Sequence, residues 1–206
     1  MREITIPISP ETIRELHTGD TVVLTGVLAT GRDAVHKWMI DTFIRKTREP
    51  TGDDLEVYEA IQPIFKESLI YHCGPVVSGL DTGDYKFVAA GPTTSIREEP
   101  YQSEVMHHFN MRGVIGKGGM GANTLQACQD LPAAYFHAIG GAATLIAESV
   151  EEVIGVYKLD FGVPEAIWVL KVNRFPVVVT MDSHGNSIHE DVERTSLEKL
   201  KALIEG

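Results

Sequence analysis

The chain has 206 residues, 43% of them hydrophobic and 23% charged, ordinary proportions for a globular protein with one sizeable core, read here as a single domain over 1–206. Its formal net charge of -11 argues against a nucleic-acid or anionic-membrane surface and makes any basic cluster a local pocket. In chain order, Glu3–Ile8 alternates polar and apolar residues like a half-buried strand, and Pro7, lacking an amide hydrogen, favours a sheet edge. Ser9-Pro10-Glu11 has the cap, proline and acid of a helix start, and a short helix to His17 follows. Gly19-Asp20 turns into a β-branched strand over 21–28, and after Ala29–Asp33 a helix runs to about Arg48 with Val35, Met39 and Phe43 on one face. Residues 49–54 read as a loop, and 55–68 as a helical composition interrupted by Pro63.

A strand at 69–72 ends in Cys73-Gly74-Pro75, and residues 79–84 form a turn cluster. Phe87–Ala90 reads as a short buried strand stopped by Gly91-Pro92; Thr93-Thr94-Ser95 then offer hydroxyls that can cap a helix, placed near Pro100–Asn110. Strands are predicted at 113–115 and 134–138, a helix from near Ala122, and a small-residue helix from Gly140-Gly141 to about Ser149. Further strands at 167–172 and 177–181 flank Asn173–Pro176, a turn covers 183–186, and Thr195-Ser196 caps a terminal helix. The fold class is mixed α/β, built of strand–turn–helix units, with the strand-rich ends as candidates for a separate antiparallel layer.

The two cysteines, Cys73 and Cys128, match no zinc spacing and are too few to hold an iron–sulfur cluster. Without a visible signal peptide or an apolar run near ~18 residues, two reduced thiols in a cytoplasmic protein are expected.

Three turns share one design, an apolar strand followed by small residues that open a helix. Thr30-Gly31-Arg32 carries an arginine, Thr93-Thr94-Ser95-Ile96-Arg97 carries hydroxyls and an arginine, and Gly116-Lys117-Gly118 carries a lysine between glycines. Turns at the carboxyl ends of strands in an α/β sheet line its ligand site, and exposed helix-start amides favour anions. Two arginines and a lysine aimed at one cleft suit a dicarboxylate. Each residue also has a plainer reading: Arg32 can pair with Asp33, Arg97 with a nearby acid, Lys117 can be an exposed loop lysine, and Thr93 a helix cap. Gly116-x-Gly118-x-x-Gly121 formally matches a dinucleotide fingerprint, but no acid ends the following strand, and Gly118 after Lys117 breaks a Walker phosphate loop. His72 beside Cys73 reads as structural because adjacent strand residues face opposite ways. His107, His108, His184 and His189 read as turn, surface or packing residues.

The stretches Thr30–Lys37, Tyr71–Val76, Ala90–Arg97, Gly116–Gly119, Gly140–Ala143, Glu165–Trp168 and Phe175-Pro176 leading to Asp182 resemble the β subunit of two-subunit class I fumarases and L-tartrate dehydratases, and the C-terminal domain of single-chain class I fumarases. The resemblance implies a swivelling β/β/α domain and a hydro-lyase acting on a dicarboxylate: fumarate/malate first, with tartrate or mesaconate as alternatives. It implies that Arg32, Thr94, Arg97 and Lys117 bind substrate and that Thr93 transfers a proton. It further implies a [4Fe–4S] cluster on a partner α subunit and none on this chain. The isolated chain is expected to be inactive, with a homodimer contact in place of the α-subunit surface. Glu98-Glu99 after Arg97 departs from the pattern, which usually has methionine directly after this arginine. From another class, a non-catalytic anion- or nucleotide-binding module is the competing reading.

Overall fold

A strand whose side chains alternate can serve two cores when both of its faces are covered. The central strands do this in the structure, a computed structural model that describes residues 1–205. The strands are β1 (Arg2–Ile6), β2 (Thr21–Thr30), β3 (Leu69–Tyr71), β4 (Val76–Ser78), β5 (Lys86–Ala89), β6 (Gly113–Gly116), β7 (Ala134–His137), β8 (Val150–Tyr157) and β9 (Ile167–Met181). The helices are α1 (Pro10–Arg14), α2 (Asp33–Met39), α3 (Gly52–Phe65), α4 (Glu99–Phe109), α5 (Ala122–Asp130), α6 (Ala143–Glu148) and α7 (Ile188–Glu205).

Strands β2, β3, β6 and β7 run parallel and side by side. β9 pairs antiparallel with both β7 and β2, so the ladder closes into a barrel-like ring. β1 adds parallel to β2, and β8 adds antiparallel to β9. Leu69, Tyr71, Ile115, Phe136, Trp168 and Leu170 belong to the core inside the ring. Their neighbours Ile70, Val114, Tyr135 and Val169 face a second core, filled by Val35, Met39, Phe65, Val105 and Phe109 from the helices. This is the swivelling β/β/α arrangement with its mixed sheet. No helix among the described residues is long and apolar enough to cross a membrane.

Several elements differ from expectation for identifiable reasons. The strand-rich ends form no separate layer, because β9 is one 15-residue strand that reaches both sides of the ring. Residues 173–176 do not turn; the irregular step at Arg174, with φ of +53°, is taken up by a register shift opposite Leu24–Gly26. Residues 49–54 are not all loop: Thr51 and Asp54 cap each other reciprocally and start α3 at Gly52. α7 begins at Ile188, and the Thr195 hydroxyl bonds back to the Asp191 carbonyl inside it. β5 pairs only with β4, in a hairpin off the ring, and Val88 is half exposed. β8 escaped sequence reading because Glu151 and Glu152 interrupt its alternation.

Asp54 ties the start of α3 to the rest of the helical layer. Its buried carboxylate accepts from Trp38 Nε1 at 2.8 Å, Thr51 Oγ1 at 2.9 Å and Lys158 Nζ at 2.5 Å, and also pairs with Arg48. Burial opposes ionisation, but the donors, Lys158 first, outweigh it and hold the carboxyl well below the usual carboxylate range. Asp54→Ala leaves the enclosed Lys158 ammonium unpaired and is expected to cost ~3–5 kcal/mol in urea unfolding at neutral pH. A depressed folded pKa contributes stability above the unfolded value of 3.8 that fades as pH falls through the folded one. The gap between wild type and variant should therefore narrow in acid.

Candidate active site

Parallel strands present their carboxyl ends together. Arg32 follows β2, His72 follows β3, Lys117 follows β6 and Gly140 lies beyond β7, so all four sit along one edge of the ring. β3 and β6 stay paired until the His72 amide donates to the Ile115 carbonyl at 2.8 Å. Beyond it the segment Thr93–Ser95 wedges between the two strand ends. The Thr93 amide donates to the His72 carbonyl at 2.6 Å, the Lys117 amide to the Thr93 carbonyl at 3.3 Å, and the Ser95 amide to the Lys117 carbonyl at 3.0 Å.

The expected capping by hydroxyls is not what these residues do. Thr94 precedes a 3-10 turn, Ser95–Glu98, without a side-chain cap bond, and is exposed. Thr93 is half-buried, and its hydroxyl makes no hydrogen bond among the described residues. Ser95 is fully buried, with Oγ 2.8 Å from the Tyr135 hydroxyl and 2.9 Å from His72 Nδ1. The wedge packs so closely that a Cβ on Gly116 would lie 1.8 Å from Ser95 Oγ. Gly118 and Gly119, with φ of +80° and +79°, then turn the chain in a way that L side chains resist.

Lys117 is half-buried, its stem passing Gly140, and pairs with no carboxylate among the described residues. The arginines are paired, but not with their sequence neighbours. Arg32 Nη1 lies 3.2 Å from Glu165 Oε1, and its buried Nε has no acceptor. Arg97 holds Asp33, which opens α2. Asp33, Ala34, Lys37, Arg97, Tyr101 and Glu165 line an open cleft of about 640 Å³. Thr93, Thr94 and Lys117 lie outside that lining, on the adjoining strand ends.

Beneath these turns lies a polar network that the sequence did not reveal. The side-chain amide of Gln102, on α4, sits 2.9 Å from His36 Nε2 and 2.8 Å from His72 Nε2. His36 Nδ1 is 2.9 Å from the Arg32 carbonyl and must donate to it. Burial lowers both imidazoles, that of His72 to about 3, so both are neutral. With Nδ1 as each donor, the amide group facing both Nε2 atoms must be the Gln102 NH2, which spends its two hydrogens there. His36, His72 and Gln102 are far apart in sequence, and only the fold joins them. His72 is structural, as expected, and faces away from Cys73, whose thiol burial pushes up to about 12 in the ring core.

The two acids after Arg97 have separate tasks. Glu99 accepts from the amides of Gly121 at 2.8 Å, Asn123 at 3.0 Å and Thr124 at 3.3 Å, and from the Thr124 hydroxyl at 2.7 Å. It thus occupies the start of α5, the place a pyrophosphate would take in a dinucleotide fold. Glu98 is fully buried; burial first, then the Asp33 charge, push it up to about 9. His107, His108 and His184 are exposed, whereas His189 is half-buried under Gly119 and bonds Thr180 Oγ1 at 2.9 Å.

Residues 2–192 match the family model described as Fumarase C-terminus. A Geobacillus stearothermophilus protein described as a fumarate hydratase class I is 50% identical over 199 residues, covering 97% of this chain and 35% of its own length. The chain thus spans about a third of that relative. A Methanocaldococcus jannaschii protein described as an L(+)-tartrate dehydratase subunit beta is 39% identical, over 96% of this chain and 95% of its own. The L(+)-tartrate dehydratase subunit beta of Escherichia coli is 33% identical, over 98% and 93%. With matches spanning nearly the whole chain and its basic turns on one edge of a barrel-like ring, the protein belongs to the Fumarase C-terminus family.

Proposed function

We propose that this chain supplies the dicarboxylate-binding part of a hydro-lyase active site, adding or removing water across a carbon–carbon double bond. The observation that carries the reading is the wedge of Thr93–Ser95, which locks a free hydroxyl beside Lys117 on the edge that bears Arg32 and Arg97. The charge balance supports an anion. Arg32, Arg97 and Lys117 outnumber the two acids that pair with them, Asp33 and Glu165, because burial and Asp33 keep Glu98 neutral and Glu99 is turned to α5. The Lys117 ammonium, which pairs with no carboxylate among the described residues, remains open to substrate oxygens. Glu98-Glu99 therefore leaves anion binding intact.

In this reading Arg32, Arg97, Thr94 and Lys117 hold the carboxylate and hydroxyl groups, and Thr93 moves the proton. An alcohol is a poor base in water, and nearby positive charge is what makes its alkoxide accessible. Fumarate and malate are the first substrate pair, with tartrate or mesaconate as alternatives. The [4Fe–4S] cluster that the family implies, a Lewis acid when bound, does not fit this chain. Cys73 and Cys128 are buried in separate cores, and among the described residues no three His, Cys, Asp or Glu side chains are placed to hold a metal ion. A cluster would have its ligands on an α subunit, and no step here is routed through it. Exposed Ile96, between Thr93 and Arg97, and exposed Ile139, next to Gly140, give such a partner an apolar rim to cover. A second copy of the chain can take that rim in the partner's absence.

Anaerobic co-expression with a cluster-bearing α subunit should give turnover of fumarate, mesaconate or tartrate, and failure on all three rejects the reading. In that enzyme Arg97→Ala should lower kcat/KM by ~2–3 kcal/mol, about 30- to 150-fold, the cost of an unpaired buried carboxylate. Thr93→Val should lower kcat by ~10²–10⁴-fold with little change in KM, and Thr93→Ser should restore part of it. A Thr93→Val enzyme with wild-type kcat would remove Thr93 from proton transfer.

A further inference from the structure

Glu98 is fully buried, yet as an ionised acceptor neither of its carboxyl oxygens has a partner. Asp33 shows the complement: Oδ2 holds the Arg97 guanidinium, while Oδ1 is buried with no donor. Each carboxyl acts directly on the ionisation of the other, so these orphaned oxygens belong to neighbouring groups that one shared proton would join in a hydrogen bond. Two ionised carboxylates have no proton for such a bond, whereas one neutral acid in the pair gives the orphaned oxygens of both a partner. Asp33 is in direct contact with a cation and Glu98 is not, which puts the proton on Glu98.

We propose that Glu98 is a positioning residue: as a neutral acid it donates its proton to Asp33 Oδ1 and so fixes the carboxylate that holds Arg97 at the cleft. Its part in catalysis rests on the reading of Arg97 as a carboxylate-binding group. The ionisable groups around the pair are Arg97 on Glu98's own turn, Arg32 at the start of α2 and Tyr135 from β7. His36 and His72 are within electrostatic reach of Asp33 and are neutral, and Glu99 is bound to α5. Burial and the Asp33 charge push Glu98 up to about 9, while its hydrogen bond helps hold Asp33 below the usual carboxylate range. The arrangement is therefore intact at neutral pH. In alkali a second negative charge forms against Asp33, the donated proton is gone, and the Asp33 carboxylate that orients Arg97 is no longer held in place.

The test uses the full chain with ¹³C at the glutamate side-chain carboxyls. One resonance should remain protonated through neutral pH, titrate near pH 9 and be missing from Glu98→Gln; a spectrum in which every glutamate has ionised below roughly pH 6 overturns the proposal. Stability supplies a second readout. Between the unfolded value of 4.5 and about 9 the folded chain holds a proton that the unfolded chain has lost, so stability falls as pH rises. Wild type should lose melting temperature relative to Glu98→Gln across that window, and parallel curves would count against the proton. The ¹⁵N signals of the Arg97 guanidinium should stay dispersed in Glu98→Gln, which keeps a donor for Asp33. They should collapse in Glu98→Met, similar in length but with nothing to donate. In the two-subunit enzyme Glu98→Gln should keep the wild-type KM and flatten the alkaline limb, while Glu98→Met raises KM roughly tenfold; wild-type KM and pH profile in Glu98→Met overturn the positioning role. If the wild-type enzyme turns over no dicarboxylate, the hydro-lyase reading falls, and the carboxyl titration and Arg97 signals still decide the pair.

Discussion

The site depends on one backbone arrangement, the insertion of Thr93–Ser95 between the ends of β3 and β6. Parallel strands that diverge leave amides and carbonyls that must find partners. Here the wedge takes them up in three hydrogen bonds, to His72 and Lys117. Each such bond is worth only ~0.5–1.5 kcal/mol net, but leaving a buried amide unpaired costs more, so the segment has no competitive alternative position. Thr93 and Lys117 are thereby fixed by the sheet rather than by the mobility of a loop. The same bonds make Gly116 necessary, because Ser95 fills the space a side chain would take.

The wedge is held from below by polar groups that are costly to bury. Gln102 joins His36, which supports the Arg32 carbonyl, to His72, which supports both Thr93 and Ser95. Both imidazoles are neutral, so the network binds the turns without adding charge beneath them. A satisfied buried network rigidifies its neighbours, and a half-satisfied one destabilises them. Three turns distant in sequence are thus tied together through one set of hydrogen bonds.

The parts of this organisation that sequence reveals are the local ones. Apolar runs located most strands, glycines marked the turns, and the three cations stood out against an acidic background. Strand order lay beyond reach, since the closure of β9 on β2 is set by pairing partners that no periodicity encodes. Residues 49–54 looked like loop because Thr51 and Asp54 are polar for the sake of a helix start. At the site, the plainer readings were a pair Arg32–Asp33 and an Arg97 held by some nearby acid. The fold exchanges these partners, giving Asp33 to Arg97 and Glu165 to Arg32. A helix start places side chains of neighbouring residues in different directions, so adjacency in sequence is a poor guide to pairing there.

That exchange also explains how an acidic chain keeps a positively charged edge where anion binding is proposed. Ion pairs within the chain orient both guanidinium groups but consume positive charge, and each added carboxylate brings the edge nearer to neutral. Glu98 and Glu99 would cancel the excess if both were ionised toward the cleft. One is spent on the amides of α5, where the helix dipole welcomes it, and the other is kept uncharged by burial. The net positive charge of the edge therefore follows from where the fold puts its acids rather than from how many the sequence contains. A carboxylate that replaced any apolar neighbour of Asp33 on the solvent side would ionise, and would lower the positive potential of this edge more than the loss of a cation elsewhere on the surface.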